Sequence, residues 1–454
     1  MSLKDSLPFI RNYVYLLNEA LKQNDPDKQL SRLQVYWLSF IILGILVTNT
    51  VCWQKISRSS IGTYSSSAIS WMFKKGKISW NTLLYASTLK IIEKYGIRSG
   101  VLVIDDTDAE RSKSTMKIAK VHKIKDKKTG GYFRGQNLVF LVLVTKKITI
   151  PVGFEFYEPD PAMKDWKKED NRLKALKTPK KDRPKEPQRN PDYPGKKELA
   201  IRLLKNFVIS FPQIRIKCVV ADCFYGSASF IRETQKATGQ NQVITQIRKN
   251  QLIMVKGIFV KVSDHFNSID NPVVQEVELR GKEKTITYIT GKFTVKSHEK
   301  KYFIIALKYD NEKEYRYILA SDMSWNVLDT IKAYALRWLV EVFIQDWKSY
   351  EGWDQLAMQP GIDGANRSLT LSLLCDHVLF FHKDQLDLFK NGESAATVGS
   401  LKEKVMMESI IQFVQNIIDC ENPKEQINAF NKQIEEVFQL RASMKHIRNT
   451  EFEF

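Results

Sequence analysis

Apolar residues recur at three- and four-residue spacing through FIRNYVYLLNEAL (9–21) and WNTLLYASTLKIIEKY (80–95), which predicts amphipathic helices flanking a helical first hundred residues. Between them Val35 to Gln54 carries no charge and approaches the ~20 residues that span a bilayer. Ser39, Thr48, Asn49 and Thr50 lie inside that run and no second such segment follows, so a buried core helix is the expected outcome. The stretch WQKISRSSIGTYSSSAISWMFKKGKISW (53–80) has Gly62 between two short helical patterns, then a Ser-rich start able to cap a helix bearing Trp71, Lys74 and Lys75. It reads either as a weak helix-turn-helix or as a polar connection within a small helical domain.

From Val101 the period shortens. VLVIDD (101–106), NLVFLVLVT (137–145) and ITIPVGFEFYE (148–158) read as strands, the first two nearly continuous in apolar residues, as suits a sheet covered on both faces. Lys146-Lys147 marks a hairpin. Residues 159–197 are dense in Pro and charge and cannot form a core, which predicts a solvated surface excursion or a basic flap closing on phosphates. A helix over Glu198 to Ser210, a strand IKCVVAD ending at Asp222, a helix SASFIRETQKA and a strand VITQIR then complete a mixed α/β sheet. Between Leu252 and Met323 the pattern is almost wholly strand-like, an inserted β subdomain; Asn326 to about Glu351 and most of the remaining chain return to helix.

Composition narrows the partner. Seventy Lys and Arg against 51 Asp and Glu give a formal charge of +19, which suits a polyanion such as DNA, RNA or an anionic membrane. The five cysteines (Cys52, Cys218, Cys223, Cys375, Cys420) are scattered and odd in number, and the first residues lack an export signal, so a reducing cytoplasm is expected. Cys375-x-His377 with His382 has no second pair at zinc-ligand spacing, and neither a Walker loop nor a G-x-S-x-G elbow is present.

The strongest chemical signal is in TIKAYALRWLVEVFIQDWKSYEG, where Tyr334, Arg337, Glu341, Gln345 and Lys348 fall on one polar stripe at ~100° per residue. Taken alone this is an amphipathic helix with an Arg–Glu surface pair. Upstream, two apolar strands end in acids, Asp105 or Asp106 and Asp222, and strand ends are where α/β sheets place their sites. Carboxylates converging from three elements are hard ligands for Mg²⁺, and two such ions can drive phosphoryl transfer.

These residues resemble the DDE transposases of the insertion-sequence-four group. IDDT (104–107), ADCFYGS (221–227) and Tyr334-x2-Arg337-x3-Glu341-x6-Lys348 carry the resemblance, the last reproducing the family's Y-R-E-K spacing. The resemblance implies a ribonuclease-H-like core with Asp105, Asp222 and Glu341 as metal-binding catalytic acids, Mg²⁺ or alternatively Mn²⁺ as cofactor, and Tyr334, Arg337 and Lys348 on the DNA backbone. Adjacent strand residues face opposite ways, so Asp105 and Asp106 cannot both point into the site; Asp105-x-Thr107 matches the family pattern and selects Asp105. Further implied are double-stranded DNA as partner, at transposon inverted-repeat ends and at the target, a homodimer on DNA, and no membrane association. The expected organisation is a helical DNA-binding domain (1–98), a first core part (99–250), the β-rich insertion (251–323), core completion with the Glu helix (324–370) and a helical C-terminal region as candidate dimerisation element (371–454). Some relatives form a DNA hairpin with a Trp in the insertion; Leu252 to Met323 holds none, and Trp325 lies just beyond. The rival reading is a non-catalytic DNA-binding protein derived from a transposase.

Overall fold

The computed structural model describes residues 6–61, 63–111, 117–126, 128–279, 281–310, 312–353 and 359–438. Residues 439–454 of the expected C-terminal region lie outside these described residues.

The chain begins with helices α1 (Pro8–Asn24), α2 (Arg32–Thr48), α3 (Trp53–Ser59), α4 (Ser66–Lys75) and α5 (Trp80–Tyr95). Local chemistry sets their ends. Ser31 and Gln34 form a reciprocal capping box on α2, and Ser65 Oγ accepts from the Ala68 N–H to start α4. The charge-free run of the sequence is α2, with Leu38, Ile41, Ile42, Leu43 and Ile45 fully buried against neighbouring helices. Among the described residues no single helix is long and apolar enough to cross a membrane, although α2 and α3 together pass by length and composition as a pair bent by 93°.

Strands β1 (Ser99–Glu110), β2 (His122–Lys125), β3 (Tyr132–Val144) and β4 (Thr149–Tyr157) follow, then α6 (Pro161–Ala175), α7 (Lys196–Ser210), β5 (Arg215–Ala221), α8 (Ala228–Ala237) and β6 (Gln242–Ile247). β3 lies antiparallel between β1 and β4, β5 pairs parallel with β1, and β6 pairs parallel with β5. The spatial order β4-β3-β1-β5-β6 is the ribonuclease-H-like arrangement: a meander extended by two parallel strands. Leu102, Ile104, Val139, Leu141 and Val219 share one hydrophobic cluster with the N-terminal helices, whereas Val101, Val103, Leu138, Phe140 and Val220 share another with the later helices. Cover on both faces is why these strands carry no polar alternation.

The β-rich stretch comprises β7 (Leu252–Val255), β8 (Ile258–Lys261), α9 (Val262–Asn267), β9 (Val273–Leu279), β10 (Lys282–Val295), β11 (Lys300–Tyr309) and β12 (Arg316–Ala320). It does not form a sheet of its own. β12 pairs antiparallel with β6 at Ile318↔Gln246, so one twelve-stranded sheet runs through core and insertion. Val262 to Phe266, read as strand from the pattern IFVKVSDHF, is the helix α9, which buries Val262 and Phe266.

Helices α10 (Val327–Ala335), α11 (Arg337–Tyr350), α12 (Gly361–Leu379), α13 (Lys383–Lys390), α14 (Val398–Ile418) and α15 (Pro423–Val437) complete the fold. The helix expected to run unbroken from Asn326 is interrupted at Leu336, which separates Tyr334 from Arg337. The expected boundary at 370 falls inside α12, and α1 to α5 share a core with one sheet face and α12, so neither helical region is packed apart from the sheet. The Pro-rich excursion contains α6, capped by Asp160 and held by polar contacts: Asp170 meets Lys174 at 2.6 Å and Arg183 at 3.0 Å, and Trp166 Nε1 donates to the Pro184 carbonyl.

A buried acid pair joins α11 to α12. Glu351, closing α11, is fully buried, and neither of its oxygens nor Asp376 Oδ2 finds another donor among the described residues. The two carboxyls face each other, so a shared proton is the remaining donor. Burial pushes Asp376 up to about 7, with the Asp346 charge adding to it, and burial followed by repulsion from Asp376 raises Glu351 well above its ordinary value. The folded state therefore holds protons that the unfolded chain releases above about pH 4, and stability falls as pH rises from there through about 7. Asp376→Asn, whose amide can donate to Glu351, is expected to flatten the decline in melting temperature between pH 5 and pH 8. A decline as steep as the wild type's would show that the pair does not share a proton.

Candidate active site

β1 and β5 run parallel, and each places an acid at its C-terminal end. Asp105 points to the same face as Val101 and Val103, toward α11, which docks there through Val340, Phe343 and Trp347; the Phe140 ring packs 5.0 Å from Trp347 and 5.5 Å from Phe343. Asp106 points the other way and accepts from Lys196 Nζ at 2.5 Å, from the first turn of α7. Asp222 follows β5 and caps the short turn Cys223–Tyr225, its Oδ1 accepting from the Phe224 N–H at 2.9 Å. Gly226 closes that turn against β6: a Cβ there would lie 2.3 Å from the Gln246 carbonyl oxygen, so a side chain would displace the turn and Asp222 with it.

Arg337, the first residue of α11, ties the acids together. Its Nη1 donates to Asp105 Oδ2 at 2.8 Å and its Nη2 to Glu341 Oε1, one turn further along the same helix. The guanidinium also opposes the rise in the Asp222 pKa, so all three acids feel it. Burial is the largest influence on Asp105 and pushes it up to about 6 against the pull of Arg337, with Asp222 and Asp106 adding to the rise. Asp222 is raised by burial and then by the Asp106 charge. Burial alone would lower Arg337, but Tyr334, Asp105 and Glu341 more than offset it and hold the guanidinium charged.

The residues expected on the DNA backbone are engaged within the chain. Tyr334 is 4% exposed, pushed up to about 12 by burial, and bonded to Arg337. Lys348 Nζ donates to the Asp108 carbonyl at 2.5 Å, anchoring α11 to the end of β1. In this state the stripe braces the acids. Sequence reasoning missed Lys196, Lys197 and Tyr225. The two lysines end the Pro-rich excursion, and Lys197 Nζ donates to Ser227 Oγ beside Asp222. Tyr225 is fully buried, its hydroxyl has no partner among the described residues, and Asp106, Asp222 and Asp105 all raise its pKa after burial itself. Only the position of Tyr225 in ADCFYGS hinted at this.

Among the described residues no group of three or more His, Cys, Asp or Glu stands close enough to hold a metal ion. The Arg337 guanidinium lies between Asp105 and Glu341. The donor chemistry still suits a hard divalent cation: carboxylate oxygens from three elements, with Asp105 buried, Asp222 partly buried and both raised in pKa, and with Asp105 and Glu341 on one guanidinium.

The family model described as DDE superfamily endonuclease matches residues 37–259, a little under half of the chain. That segment is similar to DDE endonucleases. It contains Asp105 and Asp222 and ends before Glu341. No curated protein matches the chain. Among solved structures, a piggyBac transposase synaptic complex with hairpin DNA aligns over 97% of this chain and 85% of that one, at 11% identity and a TM-score of 0.40.

Tyr225→Phe removes a buried hydroxyl that has no partner among the described residues. Denaturant unfolding is expected to show unchanged stability, or a gain of up to about 2 kcal/mol. A loss above about 1 kcal/mol would mean that the hydroxyl is hydrogen-bonded in solution.

Proposed function

We propose that this chain is a DNA transposase that cleaves a phosphodiester at the inverted-repeat ends of its element and joins the freed 3′-OH to target DNA. The observation that supports the reading is that Arg337 pairs with both Asp105 and Glu341, while Asp222, at the end of the neighbouring parallel strand, is near enough to feel its charge. Water is the first nucleophile and the 3′-OH the second. Asp105, Asp222 and Glu341 would hold a divalent cation, Mg²⁺ or alternatively Mn²⁺, which would supply Lewis-acid activation of the attacking oxygen and stabilisation of the leaving one. The chain's own part is to hold the acids at fixed strand and helix ends, to keep Asp106 neutralised by Lys196, and to present basic groups to phosphate. The protein acts as a dimer on the paired ends, in the cytoplasm, with the C-terminal helices as the dimerisation element.

The N-terminal helices offer the DNA surface. α4 exposes Ser67, Trp71, Lys74 and Lys75 on one side, with Trp71 61% exposed, and Lys55 of α3 is exposed nearby. An exposed indole among ammonium groups suits a sugar-phosphate backbone and a base edge, and the chain's +19 charge draws the duplex in.

The decisive assay is cleavage of a labelled duplex carrying the terminal repeat that flanks the gene, with Mg²⁺ against EDTA. Metal-dependent cuts at the repeat boundary are expected, abolished in Asp222→Ala and in Glu341→Gln, while Glu341→Gln keeps end binding. Specific binding without cutting, with both ends supplied, would identify the non-catalytic DNA-binding protein instead. Separately, the double variant Lys74→Ala, Lys75→Ala is expected to lower the slope of log affinity against log salt by about 2, close to one unit for each phosphate that a lysine no longer neutralises. An unchanged slope would place the duplex elsewhere.

A further inference from the structure

The guanidinium of Arg337 occupies oxygens that a bound cation would need. Asp105 Oδ2 and Glu341 Oε1 are each committed to it, and Asp105 Oδ1 is committed to the Asp106 N–H. A divalent ion held by Asp105 and Glu341 would compete with the guanidinium for these oxygens and would meet a like charge in a partly buried site, where repulsion is strong. Ion and guanidinium therefore exclude one another. Arg337 is also placed to leave. It is the first residue of α11, next to the break at Leu336, and its far partner Glu341 is half exposed. A planar guanidinium released from a carboxylate has a natural alternative in a phosphate, which it binds through two parallel donors.

We propose that Arg337 is a resident counter-cation that keeps the acid cluster closed to divalent ions until a DNA phosphate draws the guanidinium away. The inference rests on reading the cluster as a DDE-type centre. It assigns Arg337 two successive partners, carboxylates in the free protein and phosphate in the complex. Because DNA and the divalent ion both favour the swung-out arginine, each must raise the affinity of the other by the same factor.

The test is Mn²⁺ binding to the full chain, followed by electron paramagnetic resonance of the free ion. Without DNA, Arg337→Gln is expected to bind Mn²⁺ about tenfold more tightly than wild type, within the usual range of coupling between sites, with Arg337→Lys between the two. A short duplex is expected to tighten Mn²⁺ binding by wild type and to leave Arg337→Gln unchanged, with Asp222→Ala plus duplex as the blank for ions held by DNA alone. Equal or weaker binding by Arg337→Gln would overturn the exclusion, and a wild-type affinity indifferent to duplex would overturn the linkage. Should Arg337→Gln fail to fold, wild type with and without duplex decides the question. Absence of Asp222-dependent Mn²⁺ binding in every form, duplex included, would sink the DDE reading itself and this inference with it, an outcome distinct from the other two.

Discussion

Two carboxylates held at the ends of buried parallel strands need a positive charge, and the site is built around supplying one. Asp105 is only 8% exposed and Asp222 is largely withdrawn from water, so each bears a desolvation cost that no packing contact offsets. Arg337 meets that need for Asp105, and in doing so ties the first turn of α11 to β1. Lys196 does the same for Asp106 on the opposite face, and backbone N–H groups of the 223–225 turn serve Asp222. A buried ion pair of this kind adds little net stability, since attraction mostly repays desolvation. Its consequence is positional: it fixes where Glu341 stands relative to the strand ends.

The sheet makes this positioning rigid. Because helices cover both faces, β1, β3 and β5 are apolar throughout, and the first polar side chains they can present are at their ends. α11 is held at two levels, by Phe343 and Trp347 packed on Phe140 and by Lys348 reaching the Asp108 carbonyl. The antiparallel strands beyond β6 extend the same sheet, so the rigid body that carries Asp222 continues through β12, β11 and β10.

Much of this was legible in the sequence because it follows from local periodicity. Continuous apolar runs marked β1, β3 and β5, and a 100° period placed Arg337 and Glu341 on one stripe. What stayed hidden depended on contacts between distant residues or on features with no apolar signal. The Lys196–Asp106 pair spans 90 positions, and nothing near either residue announces the other. α6 has only Asp170 buried and is held by ion pairs, so its pattern resembles solvated chain. The break at Leu336 occurs where that residue keeps right-handed helical dihedrals, and helical periodicity runs through it unchanged. The acids were visible as residues, but their occupation by Arg337 was not: an i,i+4 Arg–Glu pair looks the same whether it lies on a surface or across a site.

That ambiguity bears on how an acidic centre can act on a polyanion. If the chain acts on DNA as proposed, three carboxylates would repel an approaching phosphodiester, and a net charge of +19 would attract the duplex without bringing a scissile phosphate to the acids. Local cations would have to do that, and Lys196, Lys197 and Arg337 are among those that the fold brings to the acids. Two come from the end of the Pro-rich excursion and one from the break before α11, so each sits where the backbone changes direction and not in the middle of a packed element. A lysine is a point charge suited to holding one oxygen, as Lys196 holds Asp106. Arg337 alone spans two acceptors at once, which lets it hold the acids together in the free chain and makes it the group best shaped to exchange them for a phosphate.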